Sequence, residues 1–191
     1  MSLNEFDRKK TGLAIIMVGL MIMVIGIGNF FQDKLKETTL TQNNISSFKI
    51  YKINKNINYS LPDTWINSES KGGNDIEYNS EFISDDGVIK GNIKLYKDEF
   101  KQNELLKKHS DNLQSLGIKE YEKRTIKFKN GKGTLIEYKN KLSDSKVYRN
   151  YDYIINLNNK NIIVNFYMDD KSYKENTPTL LDKIVKNIQY N

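Results

Sequence analysis

The sequence has no cysteine, one histidine, one tryptophan and two prolines among its 191 residues. Without cysteine, the chain cannot form disulfides, use a thiol nucleophile, build a Cys-ligated zinc site or carry a lipid on a cysteine. With His109 alone, it cannot build a metal site from two histidines, and only one histidine base is available. These absences remove several classes of chemistry but assign no function.

Residues 11–32 contain no charged side chain, although 28% of the whole chain is charged. As a helix, this stretch spans about 33 Å, which is enough to cross a hydrocarbon core of about 30 Å. We therefore predict an uncleaved transmembrane anchor. The alternative is a cleaved signal peptide with Gly26 or Gly28 near its cleavage site. The apolar side chains of the predicted anchor are Leu13, Ile15, Ile16, Val18, Leu20, Ile22, Val24, Ile25 and Ile27.

Basic residues flank the predicted anchor on its N-terminal side. Arg8, Lys9 and Lys10 directly precede it, beside a very short tail. Because positive flanks stay inside and long domains are translocated largely regardless of charge, we expect a cytoplasmic N-terminus and an extracellular C-terminal domain at the cell membrane. The predicted organisation is a tail over 1–10, a single-pass anchor over 11–32, a linker over 33–47 and an extracytoplasmic domain over 48–191.

Three further features bear on partners. Gly12, Gly19 and Gly26 recur every seven residues, so two anchors could approach closely and form a weak dimer. Lysine far exceeds arginine and asparagine is abundant, a bias typical of an AT-rich Gram-positive bacterium. The net charge of +6 is scattered with both signs mixed, so we predict no nucleic-acid partner.

The polar remainder has mostly strand patterns. Apolar residues alternate along short runs, and turn residues separate neighbouring runs, as in Ser84–Gly87, Asn130–Gly131 and Asn158–Lys160. Ile162 and Val164 share one face of the last run while Ile163 lies on the other, which predicts a sheet covered on both sides. The predicted strands are 48–52, 57–61, 76–83, 88–96, 118–128, 132–139, 147–157 and 161–168.

Two helices are predicted to cover the sheet. The first lies near Gln102–Leu116 and ends at Gly117. Its apolar stripe contains Leu106, His109, Leu113 and Leu116. The second begins with Thr177 as N-cap and Pro178 in the first turn, and its apolar positions are Leu180, Leu181, Ile184, Val185 and Ile188. The fold class is therefore α+β, with an antiparallel sheet covered by helices.

Two segments resemble a known family. Residues 59–65 (YSLPDTW) form an aromatic strand followed by a proline and the only tryptophan, and residues 161–166 (NIIVNF) form a strand that precedes the final helix. Over residues 48–190 the chain resembles the PsbP-like fold, an α/β/α sandwich. The resemblance implies a non-enzymatic module without a cofactor that docks onto a larger membrane or cell-envelope protein.

Tyrosine is the most conspicuous residue of the polar domain. Tyr148, Tyr151 and Tyr153 lie on one predicted strand, beside a neighbour that holds Tyr138. Such cross-strand aromatic residues stabilise a sheet. The alternative interpretation is an exposed platform for a partner or a glycan.

Other suggestive residues have ordinary structural explanations. His109 lies on an apolar stripe and is predicted to be a partly buried structural residue rather than a general base. The segment Gly131–Thr134 follows a turn signal without a helix after it, so it is a hairpin and not a phosphate loop. Asp85–Asp86 and Asp169–Asp170 lack the spacing of a calcium loop and are predicted to be acidic turns, so no metal site is expected.

Three functions remain open from sequence. The first is a non-enzymatic binding or assembly module, displayed outside the membrane, that docks to an envelope or membrane partner. The second is an envelope hydrolase that uses acidic residues such as Glu77, Glu81 or Glu137, which requires two converging carboxylates. The third is a sensor domain, which requires a closed apolar pocket for a small ligand.

Overall fold

The structure is a computed structural model that describes residues 17, 18, 20–22, 45, 47–97, 101–118, 120–128, 131–141 and 146–190. The chain divides into two compact units, Met1–Asn44 and Ile45–Asn191. In the first unit, the described residues Met17, Val18, Leu20, Met21 and Ile22 are helical and exposed.

The predicted N-terminal segments fall mostly outside the described residues. These segments are the tail over 1–10, the remaining anchor positions and nearly all of the linker. Within the described residues, no helix has both the length and the apolar character needed to cross a bilayer.

The second unit is an α+β domain with antiparallel strands, which confirms the predicted fold class. A short 3₁₀ turn spans Asp170–Ser172, directly after the strand that ends at Asp169. Its helices are α1 (Gln102–Ser115) and α2 (Thr177–Lys186). Its strands are β1 (Phe48–Lys52), β2 (Ile57–Pro62), β3 (Ile66–Ser70), β4 (Ile76–Ile83), β5 (Lys90–Tyr96), β6 (Tyr121–Phe128), β7 (Gly131–Lys141), β8 (Val147–Leu157), β9 (Lys160–Asp169) and β10 (Gln189–Tyr190).

Two sheets organise these strands. The larger has seven strands in the order β3-β4-β5-β9-β8-β7-β6, and the smaller has three in the order β1-β2-β10. Every pair in both sheets is antiparallel. Strands β8 and β9 lie at the centre of the large sheet, as their dense apolar patterns predict.

The two helices cover opposite faces of the large sheet. Nε2 of His109 on α1 lies 2.9 Å from Oδ2 of Asp152, whereas the next residue of β8, Tyr153, donates a hydrogen bond of 2.9 Å to Asp182 on α2. Successive side chains of a strand point to opposite faces, so α1 and α2 lie on different sides. The predicted coverage of both faces is therefore observed in the described domain.

Helix α2 covers the more apolar face. All five of its predicted apolar positions are buried, and Leu181 and Ile184 have no exposed surface. The same face carries an aromatic row in which Trp65, Phe82 and Phe166 pack at centroid distances of 5.8 and 5.2 Å. The helix starts one residue earlier than predicted: its N-cap is Asn176, and Thr177 is its first, buried residue.

Helix α1 covers a smaller apolar cluster. Leu113 packs there with Ile118, Ile136, Ile154 and Ile163. The helix ends at Ser115, one residue before the predicted end, and the predicted stop residue Gly117 has a φ of +74° that permits a Schellman-type bond from the Ile118 amide to the Leu113 carbonyl at 3.0 Å. One position of the predicted stripe is wrong. Leu116 is 68% exposed because it lies beyond the last helical turn, and Leu105 is buried in its place.

The turns follow the predicted residues. Gly87 adopts φ +71° in the Ser84–Gly87 turn, and Asn158 and Asn159 both adopt positive φ between β8 and β9. Gly131 already belongs to β7, where it pairs with Phe128. Residues 129 and 130 lie outside the described residues, so the predicted Asn130–Gly131 turn is described only through this pairing.

Candidate functional site

Tyr151 and Tyr153 belong to the core between the large sheet and α2. Neither residue has exposed surface. The ring of Tyr153 packs edge-to-face on Phe166 at 5.9 Å, and its hydroxyl donates to Asp182 at 2.9 Å. These two tyrosines therefore stabilise the sheet and do not belong to a partner surface.

Tyr138 and Tyr148 lie on the opposite face of the sheet. Tyr138 pairs with Asn150, which shares its face with Tyr148 two residues away. Alternation along β8, together with the pairing of Tyr138 opposite Asn150, thus divides the four predicted tyrosines between the two faces. The predicted platform of four residues is not formed, and Tyr148 acquires a different aromatic neighbour.

This neighbour is Tyr167 on β9. The two ring centroids lie 6.4 Å apart at an interplanar angle of 58°, a tilted pair typical of aromatic contacts. Tyr167 is 39% exposed, so part of its ring is available to a ligand. The pair forms one wall of a surface cavity on the α1 face of the sheet.

We name this cavity the tyrosine–asparagine cleft. It has a volume of about 340 Å³, within the size range of small-molecule sites. Strands β5, β9, β8 and β7 supply its floor, and the β4–β5 turn and the 3₁₀ turn supply its rim. It is lined by Gly87, Val88, Lys90, Asn140, Tyr148, Asn150, Tyr167, Met168, Asp169 and Ser172.

Two hydrogen-bonded amide groups belong to the polar lining of the cleft. Asn150 donates from Nδ2 to Oδ1 of Asn140 at 2.8 Å and to the Tyr148 carbonyl at 3.2 Å. These bonds hold both amides in defined orientations. The charged residues are Lys90 and Asp169, and Asp169 also caps the 3₁₀ turn by accepting from the Lys171 amide at 2.9 Å.

A buried polar cluster lies next to the cleft on the same face. Asp152 is 2% exposed and accepts a hydrogen bond of 2.6 Å from Asn165. His109 approaches its other oxygen at 2.9 Å and is itself largely buried. Burial, together with the nearby Asp152 carboxylate, raises the pKa of Tyr138, so Tyr138 remains protonated. The predicted structural role of His109 fits this cluster, in which it joins α1 to the sheet.

The acidic residues considered for hydrolysis do not converge. Glu77 and Glu81 lie on β4, whereas Glu137 lies on β7, and three strands separate them in the sheet. Four inter-strand spacings amount to about 19 Å. Through the intervening register, Glu81 shares the face of Asp152, whereas Glu137 pairs with Tyr151 on the opposite face.

A second, larger cavity of about 630 Å³ lies near the ends of β6 and β7. Three of its five charged lining residues are in ion pairs: Glu137 contacts Arg124 at 3.1 Å, and Lys139 and Arg149 both contact Asp170 at 2.9 Å. Hydrogen bonds from Lys139 and Arg149 lower the pKa of Asp170. This cavity is therefore the weaker candidate for a binding site.

The acidic turns have internal roles. Asp86 accepts hydrogen bonds from the Ser84 hydroxyl at 2.6 Å and from the Val88 amide at 3.0 Å, which closes the β4–β5 turn. Among the described residues, no three histidine or acidic side chains are grouped to hold a metal ion. Gly131–Thr134 lies within β7, as the hairpin interpretation predicts.

Sequence reasoning missed most of the cleft. Alternation along β8 was a sufficient signal to separate Tyr148 and Asn150 from Tyr151 and Tyr153. Lys90 and Asn140 had no local signal, because β5 and β7 reach the cleft only through the strand order of the sheet.

No family model matches the chain, and no curated protein matches it. The fold is similar to a Bacteroides thetaiotaomicron protein at 11% identity and a TM-score of 0.49, over 71% of this chain and 45% of that chain. It is also similar to PA94 of Pseudomonas aeruginosa, a protein of unknown function, at 8% identity and a TM-score of 0.41, over 74% and 95%.

A cyanobacterial PsbP from Synechocystis is a further similar structure. Its identity to this chain is 12% and its TM-score is 0.43, over 77% of this chain and 94% of that chain. The resemblance noted from sequence thus has a structural neighbour, and membership of the PsbP-like family remains a prediction. The class that the fold defines is an α+β domain with a polar cleft on one sheet face, and the likenesses carry no argument about function.

Proposed function

We propose that the chain is a membrane-anchored binding module that docks, without catalysis, onto a partner outside the cytoplasm. The observation that carries this proposal is the tyrosine–asparagine cleft. It presents aromatic and amide groups suited to binding, and the Glu81 and Glu137 carboxylates lie on opposite faces of the sheet. The module presents this cleft to a partner in the envelope or membrane.

The anchor in this proposal is the uncharged stretch over residues 11–32. Arg8, Lys9 and Lys10 keep the N-terminus inside, and the α+β unit is placed outside. Confinement to the membrane surface raises the effective concentration of the cleft near a partner in the same envelope. A weak affinity at the cleft is then sufficient for docking.

Protease treatment of intact cells tests the topology. We expect a C-terminal epitope tag to be digested and an N-terminal tag to survive, because the anchor places them on opposite sides. Digestion in lysed cells shows that both tags are cleavable, and a cytoplasmic protein reports cell integrity. A C-terminal tag that survives in intact cells and is lost in lysed cells contradicts the outside placement.

Crosslinking of the full-length protein in its membranes tests the docking. We expect recovery of a partner by the wild type, and its loss in the Tyr167→Ala variant, because Tyr167 is exposed in the cleft. Tyr190→Ala, on the small sheet, is the matched control. Recovery that is equal for all of these proteins contradicts docking through the cleft.

A further inference from the structure

The charges of the tyrosine–asparagine cleft nearly balance. Lys90 and Asp169 carry opposite charges, and the other polar side chains of the lining are the neutral Asn140, Asn150 and Ser172 together with the tyrosine hydroxyls. An anion or a cation would gain little electrostatic binding energy from such a lining. The cleft therefore suits a ligand that is polar and uncharged.

The amides match a ligand rich in hydroxyl groups. An asparagine side chain offers both a donor and an acceptor, and so does a hydroxyl. The bond from Asn150 Nδ2 to Asn140 Oδ1 orients the pair. Among the residues that the structure describes, no group forms a hydrogen bond with Oδ1 of Asn150 or Nδ2 of Asn140. Both atoms can therefore bind a ligand.

The tyrosines add an apolar surface to the same site. Aromatic ring faces carry partial negative charge and attract polarised C–H groups, which line the faces of a sugar ring. Tyr167 and Tyr148 are tilted at 58° to each other, so they form a corner instead of a flat surface. A ring-shaped ligand can stack on one tyrosine while its hydroxyls reach the amides.

A buried polar cluster lies beneath these groups. Asn150 lies two residues from the buried Asp152, which is held by Asn165 at 2.6 Å and faced by His109 at 2.9 Å. Side chains held in place before binding lose little entropy when a ligand arrives. Weak individual contacts can therefore sum to a measurable affinity.

We propose that the tyrosine–asparagine cleft is a binding site for a neutral saccharide, so that the envelope partner is recognised through its glycan. This inference rests on the proposed function, because it names the chemistry that the docking module recognises. The geometry that carries it is the Tyr148–Tyr167 corner beside the Asn140–Asn150 amide pair in a cavity of about 340 Å³.

Calorimetric titration of the full-length protein in phospholipid nanodiscs tests the inference. Nanodiscs avoid detergents with sugar head groups, which would compete for the site. The probes are neutral oligosaccharides (chitotetraose, cellotetraose and maltotetraose) and the anionic tetragalacturonate. We expect at least one neutral probe to bind at a Kd of about 10 mM or tighter, and more tightly than the anionic probe.

Substitutions of Tyr167 test whether the saccharide binds in the cleft. We expect Tyr167→Ala to weaken it about tenfold through lost stacking, and Tyr167→Phe, which keeps the ring, to remain within about threefold. Because Tyr167 is 39% exposed, we expect these variants to retain the fold, and Tyr190→Ala serves as the control. Absence of binding by every neutral probe, stronger binding of the anion, or equal affinities of wild type and Tyr167→Ala overturns the inference.

The two proposals can fail separately. If protease removes the C-terminal tag from intact cells but no neutral saccharide binds, only the saccharide inference fails. If the tag is protected in intact cells and lost after lysis, the proposed function fails whatever the titration shows.

Discussion

His109 shows how much of a residue's role depends on its neighbour across the sheet. Its helical spacing with Leu106 and Leu113 indicated an inward-facing position, and it is indeed largely buried. Its partner Asp152 is on a different element and 43 positions later in the chain, which no local pattern reveals. A buried carboxyl group is costly unless its oxygens are contacted by polar groups: Asn165 donates a hydrogen bond to Oδ1 of Asp152, and Nε2 of His109 lies 2.9 Å from Oδ2.

Close packing around Gly91 leaves no room for a side chain at this position. A Cβ at this position would meet the Asn165 carbonyl oxygen and would lie 2.6 Å from a ring carbon of Phe82. We expect Gly91→Ala to lower the free energy of unfolding by about 1–3 kcal/mol, because the neighbouring backbone must shift. Chemical denaturation of the full chain measures the change.

Gly73→Ala is the control for this prediction. A Cβ at Gly73 meets no atom within 4 Å, so its effect should be within about 0.5 kcal/mol. Equal effects of the two substitutions would show that the contacts around Gly91 do not limit the packing.

At the scale of elements, strands with strong alternation were predicted well. The bounds of β1, β4 and β8 are those expected from sequence. Strands β3 and β10 were missed because neither has an apolar pattern of its own. Strand β3 contains one exposed isoleucine among polar residues, and β10 has two residues, so both depend on pairing with a neighbour.

Helix α2 was predicted from its apolar positions, and its packing gives a quantitative expectation. Leu181 has no exposed surface. We expect Leu181→Ala to cost about 2–5 kcal/mol of unfolding free energy, because a cavity replaces contacts with the core. Thermal melting of the full chain is the measurement.

Thr179→Ala is the matched substitution on the same helix. Thr179 is exposed, and alanine is the better helix former, so stability should be unchanged or slightly higher. A Leu181→Ala variant that melts like Thr179→Ala would mean that α2 does not cover the core.

At the scale of the whole molecule, tyrosine burial links stability to alkaline pH. Burial raises the pKa of Tyr151 to about 12 and also raises the pKa values of Tyr78, Tyr96, Tyr138 and Tyr153 above the ordinary value of 10.0. Unfolded tyrosines therefore release protons at a lower pH than the native ones. Stability from this source is complete below pH 10 and falls as the pH rises above it.

We therefore expect the melting temperature to fall between pH 10 and about 12, with these five tyrosines ionising as the chain unfolds. Tyr151→Phe removes one of these hydroxyls, so its melting temperature should fall less with rising pH than that of the wild type. A melting temperature that stays constant across this window would contradict the burial of these hydroxyls.

The sequence by itself determined the α+β class, the bounds of β1, β4 and β8, the two helices and the turns at Gly87 and Asn158–Asn159. These depend on spacing between near neighbours, which is visible along the chain. Only the tertiary structure decided which strands are adjacent, and therefore that Tyr148 meets Tyr167. Pairings such as β5 with β9 join residues about 70 positions apart, and their energy comes from burial that no local pattern encodes.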